Sequence, residues 1–270
     1  MAVENLGYFK GLGDVYRDYA PFDQQLSDLD EIGIKYPVGV REDSLIRLSG
    51  KSLEGTRTCH APILARNSPV IIARISPLAQ NLEMARQAVS AHRNGQYPVF
   101  PAEIYSQWHD ITEKDKNKKP ENSRAIVLPE RGDYRIDKDS IEARFFWQNT
   151  RKRYFERFVP RGSIPIWQIN PKTVDSQDGT IINYTWFGRP ENESDLNLRD
   201  WALNYDYRAF GVLKKTGGAG SHSEKIPPSK THYTQKQIKE IYETIEEVRK
   251  GNLPASKLEK ALQFLDRLKQ

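Results

Sequence analysis

A single cysteine, Cys59, stands in 270 residues, so nothing inside the chain can pair with it. A disulfide framework is excluded, and the expectation is a reducing, intracellular setting. Long apolar runs are missing as well: none approaches the roughly 20 residues that span a bilayer. The opening residues, MAVENLGYFKGLGDVYRDYA, lack a basic segment followed by an apolar one, so no secretory signal is expected. These absences point to a soluble cytoplasmic protein without a membrane partner.

Chemical fingerprints are equally scarce. No glycine-rich turn joins the PVIIARI run to the helix start at Ser76-Pro77, which leaves phosphate cradling there without support. The five histidines, His60, His92, His109, His222 and His232, form no pair at ligand spacing, and the adjacent Cys59 and His60 would point oppositely from a strand. His109-Asp110, with Glu103 upstream, is the one acid–base set, and it reads as surface loop. Asp133, Asp137, Asp139 and Glu142 are close enough to raise divalent-metal chemistry on phosphodiesters, yet they match no cation loop, and Asp139 with Glu142 fits a helix-capping box. No catalytic residue, metal ligand or cofactor is assigned.

What the chain does have is one dense stretch, Arg144 to Arg161, RFFWQNTRKRYFERFVPR, in which six aromatic and six basic residues share eighteen positions. On a helical wheel Ala143, Trp147, Tyr154 and Phe158, widened by Phe155, form a core-facing stripe, with Lys152, Glu156 and Asn149 opposite and Phe146 on a flank with Arg153 and Arg157. Burial explains the aromatics, and aliphatic arginine stems can shield their edges. The surplus of charge, six cations against Glu156, is left over. Arg144, Arg151, Lys152, Arg153, Arg157 and Arg161 are therefore the candidate contacts, to nucleic-acid phosphates or to an acidic face on a protein partner. The wider balance agrees with either: formal charge is +5 and the pI about 9.1, with five basic and nine acidic residues in 1–50 and thirteen and eight in 201–270.

The pattern of elements predicts an α+β body over 1–215, with a mixed or antiparallel sheet and two or three packed helices. An aromatic N-terminal arm at 6–22 reads as irregular or extended, a helix as spanning Asp23–Ile32, and a short strand as lying at Ser44–Leu48. Lys51–Asn67 reads as a long connection. Pro69–Ile75 has the β-branched content of a central strand, and its direct feed into a helix running to Asn94 looks like half of a βαβ unit. Thr112–Ser123 reads as a solvated loop, Arg124–Leu128 as a strand, and the aromatic-basic stretch as one helix ending before Pro160. Ser163–Asn170 and Thr180–Phe187, split by a loop with the Asp178-Gly179 turn pair, read as a hairpin. Ser194–Asn204 is expected to be a helix and Tyr205–Lys214 extended. A flexible linker at 216–230 then leads to a helical hairpin at 231–270, whose two narrow apolar stripes need a third surface.

Together these features favour a non-enzymatic binding or assembly subunit of a larger complex, a nucleoprotein one included. It would dock through the helical hairpin and the basic aromatic helix, with self-association or a protein partner expected. The alternative is a metal-dependent nuclease of a defence or mobile-element system, supported by the positive charge and the acids ahead of the helix.

Overall fold

The computed structural model describes residues 3–190, 194–199 and 202–213. The chain divides after Thr216, and the expected linker and helical hairpin lie outside the described residues.

The expected irregular arm is a regular hairpin. Strand β1 (Glu4–Phe9) pairs antiparallel with β2 (Gly13–Ala20), and Gly11 and Gly13 take positive φ at the turn. Glycine is needed there because a Cβ disfavours that backbone region. What orders this arm is β13 (Tyr207–Leu213), which pairs with β2 along its whole length, from Tyr207 opposite Ala20 to Leu213 opposite Asp14. No local pattern could show that pairing, because the partner lies almost two hundred residues away.

Two sheets follow. The larger is mixed and has eight strands, in the order β1, β2, β13, β3 (Thr56–Thr58), β11 (Thr185–Phe187), β12 (Leu196–Asn197), β9 (Ser163–Trp167) and β8 (Tyr134–Asp137). Its parallel contacts are β13 with β3 and β12 with β9. The smaller has five strands, all antiparallel, in the order β6 (Val99–Phe100), β10 (Thr180–Ile182), β4 (Ala61–Ala65), β5 (Ile71–Ala73) and β7 (Ala125–Val127). A two-stranded ribbon joins them. Chain 56–65 runs beside chain 180–187, and each contributes first to one sheet and then to the other.

This ribbon corrects two expectations. Lys51–Asn67 is no plain connection, since it holds β3 and β4 with Pro62 inside β4, where its carbonyl accepts from Asn183 N. The expected hairpin of Ser163–Asn170 with Thr180–Phe187 does not form, because β9 and β10 belong to different sheets and β12 separates β9 from β11. The intervening PKTVD becomes a short helix, α8 (Pro171–Asp175), with Asn170 as its cap. Strand β5 is interior, as read, but its neighbours are antiparallel, so it does not open a βαβ unit.

Helix α1 (Phe22–Glu31) stops ahead of Gly33, which has φ +81°. Ser44–Leu48 is helical, the second half of α2 (Val40–Leu48), and not a strand. Ser76 caps α3 (Pro77–Gln80) through Leu78 N, but Asn81 turns extended and caps a second helix, α4 (Leu82–Arg93), through Glu83 N and Met84 N. Helix α5 (Glu103–Asp115) takes the first third of the expected loop at 112–123, because Asp115 is buried and holds Arg124 through its backbone and side chain. The described part of 194–204 is β12 and a 3-10 turn, Ala202–Asn204, and not one helix. The α+β class stands, with two sheets and more helices than the two or three foreseen. Three clusters form the core, the largest built around the aromatic stretch.

Candidate functional site

The aromatic-basic stretch is two helices, α6 (Ile141–Trp147) and α7 (Arg151–Phe158), joined by a 3-10 turn. Its cap is Ser140, one residue later than expected, with Oγ accepting from Ala143 N at 3.1 Å. The break falls at Gln148, at φ 50° and ψ −125°. It matters for packing, because α7 does not continue the wheel of α6 and each helix buries its own residues. Here Phe145, Phe146 and Trp147 are all fully buried, Phe146 included, which the unbroken wheel placed on a basic flank. Trp147 packs edge-on against Phe155 and Phe187, and His60 sits between Phe145 and Phe146.

Beneath α7 lies Arg47, fully buried. It pairs with Asp43 at 2.9 Å and donates to Phe187 O at 2.8 Å, Glu54 O at 3.1 Å, Gly188 O, and the Tyr154 hydroxyl at 3.2 Å. Its guanidinium lies 3.7 Å above the Phe187 ring. Burial by itself would lower its pKa, but the Asp43 charge, Tyr154 and the hydrogen bonds to both together raise it. With every donor directed at the fold, Arg47 is a structural post.

The six candidate cations do not share one face. Arg144 and Arg151 converge on Glu121, at 3.1 and 3.3 Å. Burial would raise that carboxyl's pKa, but the two arginines hold it low. Arg157 donates to Leu48 O at 2.8 Å and stacks over Phe158. Lys152, Arg153 and Arg161 are exposed. Of these, Arg153 lines a groove of about 270 Å³ together with Lys10, Lys51 and Tyr8. Leu48, the acceptor for Arg157, lines it as well. Lys51 Nζ lies 4.1 Å from the Phe9 ring centroid, and Tyr8 is 59% exposed. No carboxylate is among the described lining residues. Lys10 and Lys51 come from the β1–β2 turn and the end of α2, so sequence inspection of 144–161 could not have found them.

Of the acids named from the sequence, Asp133 holds the distant Gln168 N and Arg199, and the other three are engaged locally. Asp137 accepts from Asp139 N and Ser140 N, Asp139 pairs with Lys138, and Glu142 accepts from the Tyr134 hydroxyl. Among the described residues no group of three metal-ligating side chains forms. Glu103, His109 and Asp110 lie exposed on α5, not in a loop. Cys59 and His60 are buried and separately bonded: Sγ donates to Arg74 O at 3.2 Å, and His60 Nε2 accepts from Val40 N at 3.2 Å. Burial pushes the thiol up to about 12 and the imidazole down to about 3. Both are neutral near pH 7, and neither is an active nucleophile or base there.

A second concavity, of about 600 Å³, opens at the far edge of the eight-stranded sheet. Its residues lie at strand ends: Gly132 and Asp133 precede β8, Gln168 to Pro171 follow β9, Asn197 ends β12 and Arg199 follows it, and Tyr97 also lines the space. Because β9 and β12 are parallel, both chains leave the sheet at this end and part. Asp133, Gln168 and Arg199 are more than thirty residues apart from one to the next, so only the strand order unites them.

No family model matches the chain, and no curated protein matches it. Among solved structures, one described as "Accommodation of massive sequence variation in Nanoarchaeota by the C-type lectin fold" is similar at 13% identity with a TM-score of 0.50. The likeness covers 76% of this chain and 99% of that one, and it is a likeness of fold alone.

Proposed function

We propose that this chain is a non-enzymatic binding or assembly subunit that holds an anionic partner in the groove between the β1–β2 turn, the end of α2 and α7. One observation carries the reading: Lys10, Lys51 and Arg153 line a single groove with no carboxylate among its described lining residues, beside an exposed Tyr8. Cations left without counter-charges attract phosphates or carboxylates, and an exposed tyrosine ring adds a stacking surface. Arg157 adjoins this groove through Leu48 O, whereas Arg144 and Arg151 already have Glu121 and contribute less. In the Nanoarchaeota protein the similar fold accommodates massive sequence variation. A frame that tolerates a changing surface suits recognition, since function resides in sites carried on a fold.

The test is a salt titration of binding to a single-stranded oligonucleotide and, in parallel, to an acidic peptide. Affinity for one of them is expected to fall with ionic strength, by about 0.7 in log–log slope per phosphate on a single strand. Replacing Lys10, Lys51 and Arg153 together with glutamine is expected to flatten that slope by roughly 2. Binding insensitive to salt, or unchanged in the triple variant, defeats the proposal. Magnesium-dependent cleavage of the oligonucleotide would instead favour the nuclease alternative. For assembly, removing residues 231–270 is expected to shift the protein to a smaller species in size-exclusion chromatography while the thermal melt of the body is retained.

A further inference from the structure

The second concavity is distinct from the basic groove and differs from it in charge. It presents one carboxylate, Asp133, and one guanidinium, Arg199, which are 40% and 49% exposed and touch through a single contact of 3.3 Å. Both are fixed from behind. Asp133 Oδ1 accepts from Gln168 N at 2.7 Å, and the Arg199 guanidinium lies 5.1 Å from the Trp167 ring centroid while its backbone N donates to Asn197 Oδ1 at 3.0 Å. The site is therefore built before any ligand arrives, which limits the ordering cost of binding.

Its remaining polar groups are incompletely used. Gln168 is 3% exposed; its Nε2 donates to Glu130 O at 3.1 Å and to Gly132 O, which fixes the amide's orientation and leaves Oε1 buried with no hydrogen-bond partner. A buried acceptor without a donor is rare in native structures. Asn170 and Asn197 spend their Oδ1 atoms on Lys172 N and Arg199 N, leaving each Nδ2 as a donor. The concavity thus offers an anion, a cation and two amide donors, in a volume typical of small-molecule sites.

We propose that this concavity binds a small zwitterion of the amino-acid type, its ammonium on Asp133 and its carboxylate on Arg199. A ligand of single sign would gain from one of these groups and be repelled by the other. A zwitterion exchanges their one mutual contact for two charge-assisted ones. The carboxamides of Asn170 and Asn197 then meet polar atoms of its side chain or of a peptide bond, so free amino acids and dipeptides belong to the same class.

The experiment is calorimetric titration of the full chain with serine, glutamine and glycylglycine, alongside an N-acetyl amino-acid amide and glucose. The expected result is saturable binding of at least one zwitterion at millimolar concentration or below, with quenching of tryptophan fluorescence, and none for the capped amide. Arg199→Gln and Asp133→Asn, each with an unchanged circular-dichroism melt, are expected to weaken it at least tenfold. Should either variant lose its fold, the comparison of free with capped ligand decides on the wild-type protein alone. Equal binding of the capped amide, binding of glucose in place of the zwitterions, or no binding by any zwitterion overturns the proposal. The basic groove lies on other residues, so these outcomes leave its test unaffected.

Discussion

At the scale of single residues, two buried ionisable groups govern stability rather than chemistry. Arg47 and Asp43 are both fully buried, and removing one partner of such a pair strands the other. Arg47→Met is expected to cost about 3 to 5 kcal/mol in urea unfolding, more than an exposed arginine on α7 such as Arg153. His60 supplies a pH signature. Its imidazole ordinarily titrates at 6.5 and is held by burial at about 3 in the fold, so between those values the unfolded chain takes up a proton that the native state refuses. Stability contributed by neutral His60 is full above 6.5 and falls as pH drops towards 3. Unfolding free energies measured across that window are expected to decline more steeply in the wild type than in His60→Gln. Neither residue stands out in the sequence, where Arg47 lies in an ordinary helical run and His60 beside a cysteine.

Among the elements, the break between α6 and α7 has the largest effect on how the candidate site is arranged. A continuous helix would have kept Phe146 with Arg153 and Arg157 on one flank; the break sends Phe146 inward and leaves Arg153 to the groove beside Lys10 and Lys51. The cost sits at Gln148, whose φ of 50° and ψ of −125° favour glycine. Gln148→Gly is expected to raise stability by about 1 kcal/mol, read as a higher urea midpoint at unchanged m-value. A β-branched residue there, as in Gln148→Val, is expected to lower it. Sequence inspection found the cap region and the Pro160 stop but not the break, since QNT carries no proline or glycine to announce one.

For the whole molecule, strand order decides which distant residues become neighbours. Pairing of β2 with β13 brings the acidic start of the chain beside residues 207–213 and turns an apparent arm into a sheet edge. Within that edge Arg17 pairs with Glu4 across the β1–β2 hairpin, while Lys10 at its turn faces the groove. The same logic places Asp133 beside Arg199 at the opposite end of the sheet.

The sequence by itself determined what depends on local chemistry. The α+β class, helix α1 with its Gly33 stop, the start at Ser76-Pro77, the strand at Ile71–Ala73 and the burial of Trp147, Tyr154 and Phe155 all follow from periodicity, capping and turn residues within a few positions of each other. Only the tertiary structure decided the rest. It put β9 and β10 in different sheets, gave Arg144 and Arg151 to Glu121, and assembled both concavities, because strand pairing and ion pairing reward proximity in space and leave no periodic trace along the chain.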